Sequence, residues 1–276
     1  MTDMPPNLPD FFDRLSQLAA SQTLPRFRTG TAITDKGALK GAAFDPVTDA
    51  DREAERVMRE AIGEAFPDHG ILGEEHGETA GNGPWRWVID PVDGTRAFVC
   101  GVPMWTTLVG LERDGVPVAG MISQAFLDEH WVAVPGFGTT CRRGDNDAVA
   151  VRASEETRLD QARITVTDIR EGEYLNTAEA AAILDLTRGC RLCRMGTDAY
   201  GFALVASGAI DLAVEAALNW YDIAAVVPVV EGAGGVACTW QGEPITSAFP
   251  GGRIVLAATQ ALADQAVERL KDIPLA

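Results

Sequence analysis

Cysteine, histidine and positive charge are all scarce in this chain of 276 residues. There are three histidines and five cysteines, at positions 100, 141, 190, 193 and 238. An odd cysteine count without a secretory signal argues against a disulfide framework and predicts reduced thiols in a cytoplasmic setting. Lysine and arginine total 23 against 40 acidic residues, a formal charge of −17. The longest basic cluster is Arg142-Arg143. Nucleic-acid binding needs clustered cations, so that partner class is excluded, and an anionic membrane surface is disfavoured. No stretch approaches the ~18 apolar residues of a membrane span. The segment Met1–Asp10 is Pro-rich and acidic, without the basic start and apolar run of a signal peptide. Repeats and low-complexity segments are absent as well.

Apolar residues make up 46% and charged residues 23%, an ordinary globular balance. The length suits a single domain of two intimate halves, about 1–150 and about 151–276. An acidic protein that handles an anionic substrate needs metal cations to reconcile the two.

Apolar periodicity predicts helices over about Leu8–Ser21 and over a segment carrying Ala54, Val57, Met58, Ala61, Ile62 and Ala65. Thr48-x-x-Asp51 before the second helix resembles a capping box with Asp in place of Glu. Gly30–Gly41 reads as a loop or loose hairpin. A strand is expected over Trp85–Asp90, with Trp85 and Trp87 as core residues. A β-meander follows from Trp105 to about Val134, turning at Asp114-Gly115, with a further turn at Gly136–Gly138. The second half alternates: strands at Ala162–Thr167, Cys190–Met195, Ile210–Val214 and Ile254–Ala258. Its helices are expected at Asn176–Leu186, Thr197–Ala206, Tyr221–Glu231 and Ala261–Lys271. Pro228 should kink the third of these. The pattern implies layers of helix and sheet. Cys190-x-x-Cys193 falls in a predicted strand that would point the two thiols to opposite faces, which argues against a metal or redox pair.

The segment with the strongest chemical content is Trp87-Val88-Ile89-Asp90-Pro91-Val92-Asp93-Gly94-Thr95. A strand delivers two aspartates, spaced i and i+3, to a loop stiffened by Pro91. Gly94 permits a tight turn or close approach, and a helix can begin at Thr95. Carboxylates bind hard cations, and free helical N–H groups bind phosphate oxygens. Together they suit a metal–phosphate pair. Gly73-Glu74-Glu75, Asp51 and Asp222 carry further carboxylates. Each also has a plain reading, as a solvated turn or as complements to helix dipoles. His69, His76 and His130 lack metal-ligand spacing, although His76 lies two residues after Glu74.

These residues resemble the inositol monophosphatase superfamily of Mg²⁺-dependent, lithium-sensitive phosphatases. The signature W-x-[IV]-D-P-[IV]-D-G-T is present as Trp87–Thr95. Gly73-Glu74-Glu75, Thr48-Asp49-Ala50-Asp51, Trp220-Tyr221-Asp222-Ile223-Ala224 and Glu231-Gly232-Ala233-Gly234-Gly235 complete the family's elements in order, over roughly residues 8 to 272. The resemblance implies a layered αβαβα sandwich of the α/β class and a homodimer. It implies two or three Mg²⁺ held by Glu74, Asp90, Asp93, Asp222 and the carbonyl of Val92. Asp51 and Thr95, with Glu74, would be the catalytic groups that position and activate a water. The N–H groups of Gly94 and Thr95 would cradle the phosphate of a small phosphate ester.

Local wording resembles the histidinol-phosphate phosphatase branch: Asp93-Gly94-Thr95-Arg96-Ala97-Phe98 through Gly101 and Pro103, Asp198-Ala199-Tyr200-Gly201, and Trp240-x-Gly242. Ile122-Ser123-Gln124-Ala125 departs from the Asp-Gln-Pro frequent in that branch. Histidinol phosphate carries an ammonium and an imidazole, so acidic partners are expected at the leaving group. Glu215, seven residues before Asp222, stands where the family contacts substrate. Asp198 is a second candidate, or a helix cap. Arg96 would face substrate or pair with a carboxylate at a subunit interface. The expected activity is hydrolysis of L-histidinol phosphate, with inositol 1-phosphate as the alternative substrate. A nucleotide 3′-phosphatase lacks a visible basic or aromatic pocket. A non-catalytic metal-binding protein would have lost Asp51, Thr95 or a ligand, and all are present.

Overall fold

The computed structural model describes residues 4–30, 33–35, 46–172, 174–247 and 249–274. The predicted loop at Gly30–Gly41 lies outside these residues apart from Gly30 and the short strand β1 (Ile33–Asp35). Helix α1 (Leu8–Thr23) buries Leu8, Phe12, Leu15 and Ala19 along one stripe. β1 pairs antiparallel with β2 (Pro46–Thr48), which runs into α2 (Asp49–Ala65). The expected capping box forms: Asp51 Oδ2 accepts from Thr48 N at 2.9 Å, and Ala50 N donates to Thr48 Oγ1 at 3.1 Å.

β3 (Gly70–Gly73), β4 (Gly77–Thr79) and β5 (Trp85–Asp93) lead into α3 (Thr95–Val99). The meander is β6 (Thr106–Arg113), β7 (Val116–Gln124), β8 (Glu129–Val134), β9 (Gly138–Arg143) and β10 (Val149–Ala150). Asp114 and Gly115 have φ of 52° and 78°, the left-handed pair that a two-residue hairpin requires. These strands form one sheet, ordered β10-β9-β8-β7-β6-β5-β3-β4, antiparallel except for β3 beside β5.

The second half contains β11 (Arg163–Val166), α4 (Thr177–Arg188), β12 (Leu192–Met195), α5 (Asp198–Ala206) and β13 (Leu212–Glu215). α6 (Trp220–Ile223), α7 (Val226–Gly232), β14 (Val236–Thr239), β15 (Ile254–Ala257) and α8 (Gln260–Leu270) follow. Its sheet is ordered β12-β11-β13-β15-β14, with β15 antiparallel to both neighbours. α1 and α2 cover one face of the first sheet. α5 and α7 lie between the sheets, and α4 and α8 cover the far face of the second. The expected αβαβα layering is therefore present.

Some expectations need correction. The helix predicted over Tyr221–Glu231 is two helices, broken at Ala224-Ala225. Pro228 lacks the N–H that would bond the Ala224 carbonyl, and its ring crowds that same carbonyl. The break is set against the sheet. Gly110 and Gly120 face each other on β6 and β7. A Cβ on Gly110 would lie 2.8 Å from Ala224 C, and one on Gly120 would overlap the Ala225 carbonyl oxygen. β12 begins at Leu192, so strand alternation does not reach Cys190. Both Cys190 and Cys193 border the core under α4 and α8, and burial pushes both thiols above their usual range. β2, β3, β4, β9, β10 and β14 were not anticipated as strands.

Gly120→Ala tests the close approach at the break. Overpacking at such a site costs ~1–3 kcal/mol, so urea denaturation should show the midpoint falling with an unchanged slope. Wild-type stability in that variant would refute the contact.

Candidate active site

A cleft of about 310 Å³ opens where the carboxyl end of β5 meets the start of α5 and the loop after β13. Glu74, Asp90, Val92, Asp93, Gly94, Thr95, Arg96, Asp198, Glu215 and Asp222 all line it. Ten of the eleven residues singled out in the sequence thus converge on one cavity. The eleventh, Asp51, is fully buried behind it and reaches it through Thr95, whose Oγ1 lies 3.3 Å from Asp51 Oδ1.

Local structure explains the convergence. The β5–β6 register shifts between Asp90 and Asp93. That irregularity turns both carboxylates toward one place, where strict alternation would not. Gly94 follows at φ 80° and starts α3. Asp222 sits in the first turn of α6. Oxygens of Asp90, Asp93 and Asp222 lie within 4.8 Å of one another. Glu74 stands outside that triplet but within range of its charge, since it raises both Asp90 and Asp222.

Each aspartate of the triplet is also held by a backbone donor. Asp90 Oδ1 accepts from Val92 N at 3.0 Å, and Asp222 Oδ2 from Asn219 N at 2.6 Å. Asp93 Oδ2 accepts from Ala199 N at 2.8 Å. This last bond corrects the capping reading of Asp198: Asp93, from the other half of the chain, receives the α5 N–H. Asp198 itself adopts φ 46° and lies against Gly94, where a Cβ would come within 3.1 Å of its carboxyl carbon.

Burial is the first reason the carboxyl groups here resist ionisation, and mutual repulsion is the second. Asp90 and Asp222 are pushed well above the usual carboxylate range by burial and then by their acidic neighbours. Burial lifts Asp93 to about 6 against the opposing Ala199 and Thr106 bonds. It lifts Asp51 to about 6 against the Thr48 bonds. Glu215 is raised to about 8 by burial, with Asp198 and Asp93 adding to it, although Thr167 N donates to its Oε1 at 2.6 Å. Asp198 is likewise raised to about 8 by burial and Asp93, with the Arg96 charge opposing. The Arg96 guanidinium carbon lies 4.5 Å from the Tyr174 ring centroid.

An all-oxygen set of clustered carboxylates fits hard divalent cations such as Mg²⁺, which also keep places for water and phosphate oxygens. Nitrogen and sulfur ligands are absent among the described lining residues. His76 turns away from the cleft toward Glu55, with Nδ1 3.3 Å from Oε1. Cys100 is exposed.

Residues the sequence did not single out include Tyr174, Thr167, Glu112 and Glu55. Glu112 is buried and accepts from Trp220 Nε1 at 2.6 Å and from Arg86 Nε at 2.6 Å. It thereby ties β6 to the helix that carries Asp222. The available signal for Glu55 was a charged residue on the buried stripe of α2, between Ala54 and Met58.

Comparison with known proteins agrees with this geometry. A sequence profile described as the inositol monophosphatase family matches residues 11–275. The histidinol-phosphatase of Chlorobaculum parvum is 39% identical over 200 residues, covering 72% of this chain and 74% of that protein. The chloroplastic bifunctional phosphatase IMPL2 of Arabidopsis thaliana is 36% identical over 227 residues, 79% of this chain but 60% of that longer protein. A solved inositol monophosphatase from Zymomonas mobilis superposes with a TM-score of 0.80 at 33% identity, covering 95% of this chain and 96% of that one. Carboxylate cleft, layered fold and sequence relatives converge: the chain belongs to the inositol monophosphatase family and is a phosphatase, a phosphoric monoester hydrolase.

Proposed function

We propose that this phosphatase hydrolyses L-histidinol phosphate to histidinol and phosphate, the reaction of histidine biosynthesis, in a Mg²⁺-dependent manner. The supporting observation is the pair of carboxylates beyond the aspartate cluster. Asp198 and Glu215 are both lifted to about 8 by burial and acidic neighbours. A cationic leaving alcohol, ammonium or imidazolium, relieves that repulsion. A neutral polyol can only donate hydroxyl hydrogen bonds to the same oxygens. Inositol 1-phosphate remains the second reading, supported by the structural likeness to an inositol monophosphatase. Assembly as a homodimer and a cytoplasmic location belong to the same proposal. Among the described residues no helix is long and apolar enough to cross a membrane.

Glu74, Asp90, Asp93, Asp222 and the Val92 carbonyl would hold two or three Mg²⁺. When bound, the cations neutralise the phosphate, lower the pKa of a water and stabilise charge on the leaving oxygen. The chain's own groups do the rest. Thr95 Oγ1 stands 3.0 Å from Val92 O and 3.3 Å from Asp51 Oδ1, and its single proton serves one of them at a time. If the Val92 carbonyl held a cation, the Thr95 proton would turn to Asp51, leaving the Thr95 oxygen to accept a hydrogen bond from a water. The N–H groups of Gly94 and Thr95 receive phosphate oxygens. Arg96, braced on Tyr174, would face the substrate beside Asp198.

The raised acids set a pH dependence with a definite sign. Folded protein binds more protons than unfolded chain between about 3.8 and the raised values, so metal-free stability falls as pH rises through that window. Mg²⁺ competes with those protons. Its thermal stabilisation should therefore be larger at pH 8 than at pH 5.5 by differential scanning fluorimetry; equal shifts would contradict the cluster. Asp93→Asn keeps an oxygen for Ala199 N and should fold, yet lose turnover; full activity would remove Asp93 from the site.

The substrate assignment is tested by phosphate release, comparing kcat/KM for histidinol phosphate and inositol 1-phosphate. A preference of about 100-fold for the former, some 2.7 kcal/mol, is expected; comparable rates would leave only the general phosphatase chemistry. Glu215→Gln should raise KM for histidinol phosphate about 10-fold or more without changing Mg²⁺ dependence. A change confined to Mg²⁺ dependence would show that Glu215 serves the metals instead.

A further inference from the structure

Helix α2 carries a second buried carboxylate one turn after Asp51. Glu55 is fully buried, as Asp51 is, and their i, i+4 spacing puts both on one face. Asp51 reaches Thr95; Glu55 reaches the turn that carries Glu74. Glu55 Oε2 accepts Glu75 N at 2.7 Å, and Oε1 accepts His76 N at 3.1 Å. Arg59 Nε donates to Oε1 at 2.6 Å. The Arg59 guanidinium also bonds the Gly77 carbonyl and, at 3.2 Å, Thr79 Oγ1. On the other side, Glu74 N donates to Ile89 O at 3.2 Å, next to Asp90. Gly73 completes the fit, since any Cβ there would overlap the Glu55 carboxylate.

We infer that Glu55 is the positioning residue for Glu74. The turn Gly73–Gly77 is closed by the β3–β4 ladder, with Gly73 opposite Gly77, and tied to β5 through Glu74 N; the Glu55–Arg59 pair holds it from the α2 side. An anionic acceptor of two successive N–H groups fixes the turn's direction, and with it the Glu74 carboxylate relative to Asp90 and Asp222. Because Asp51 stands on the same helix, α2 also sets the spacing between the Asp51–Thr95 pair and Glu74. The inference rests on the reading of Glu74 as a metal ligand. It adds that Glu55, which lines no part of the cleft, controls cation affinity through Glu74 alone.

The test is a double-mutant cycle read by calorimetric Mg²⁺ titration of the full chain, with Glu74→Ala, Glu55→Gln and the double variant. Glutamine offers one acceptor oxygen, and its amide opposes one of the turn's donors. Loss of a group that orients a ligand typically weakens metal binding about 10- to 100-fold, and that loss is expected for Glu55→Gln. In the Glu74→Ala background it should cost nothing further. Glu55→Asp, which keeps the charge and both acceptors, should recover part of the affinity. Glu53→Gln on the same helix should behave as wild type. A Glu55→Gln protein that melts earlier but binds Mg²⁺ normally, or losses that multiply in the double variant, would overturn the inference alone. Unchanged affinity in Glu74→Ala would overturn the ligand reading and this inference with it. Should Glu55→Gln fail to fold, Arg59→Lys is the second variant. It frees the Gly77 side of the turn, and Mg²⁺ binding must weaken there too; wild-type affinity would overturn the inference.

Discussion

The fold exists around an electrostatic conflict: several carboxylates are buried within a few ångströms of one another. Left free to move, they would turn away toward water or take up protons. The structure prevents the first by one recurring device. Asp51, Asp90, Asp93, Asp222 and Glu215 each give an oxygen to a backbone N–H, of Thr48, Val92, Ala199, Asn219 and Thr167 respectively. A carboxylate tied through one oxygen is oriented without being neutralised. Three of these donors lie within three residues of their carboxylates, whereas Ala199 N and Thr167 N come from distant segments, so the site depends on the tertiary fold as well as on local turns.

The layered architecture supplies the two distant donors and brings the carboxylates together. β5 brings Asp90 and Asp93 from the first sheet, α5 brings the N–H that holds Asp93, and α6 brings Asp222. The two halves must meet in a fixed relation for this to work. Contacts near the site that enforce it include the Glu112–Trp220 bond across to α6 and the seating of the α6–α7 break on Gly110 and Gly120. The helix break is therefore part of the site's geometry. A continuous helix would carry the Ala224 and Ala225 carbonyls in a ladder, away from the sheet.

What could be read from the sequence was what is decided locally. The Thr48–Asp51 box, the Asp114-Gly115 hairpin and the Asp90–Asp93 loop each declare themselves within a few residues, and each formed. What was hidden depends on distant partners. Val236–Thr239 pairs with a strand that comes later in the chain. Asp198 looked like a cap because it stands at a helix start; the acceptor actually used is Asp93, 106 residues from the Ala199 donor. Glu55 carried no sign beyond being a charge on an apolar stripe. Arg253, which no local motif marks, is buried against Glu179 and the carbonyls of Ile273 and Pro274.

The same geometry separates chemistry from specificity, but only in part. On the proposed function, the phosphate end of the cleft would be built mainly by β5 and α3, and the leaving-group end by α5 and the β13–α6 loop. Substitutions at the second end can alter which alcohol is accepted without touching a carboxylate of the cluster. That freedom stops at Asp198. Its neighbour Ala199 donates the N–H that orients Asp93, and its own carboxyl lies against Gly94. A change of backbone at Asp198 would rotate a cluster carboxylate; a change confined to its side chain would not. Glu215, whose tie runs to Thr167 instead, is free of that coupling. On the proposed function, leaving-group preference would therefore shift at Glu215 at less risk to the phosphoryl chemistry than at Asp198.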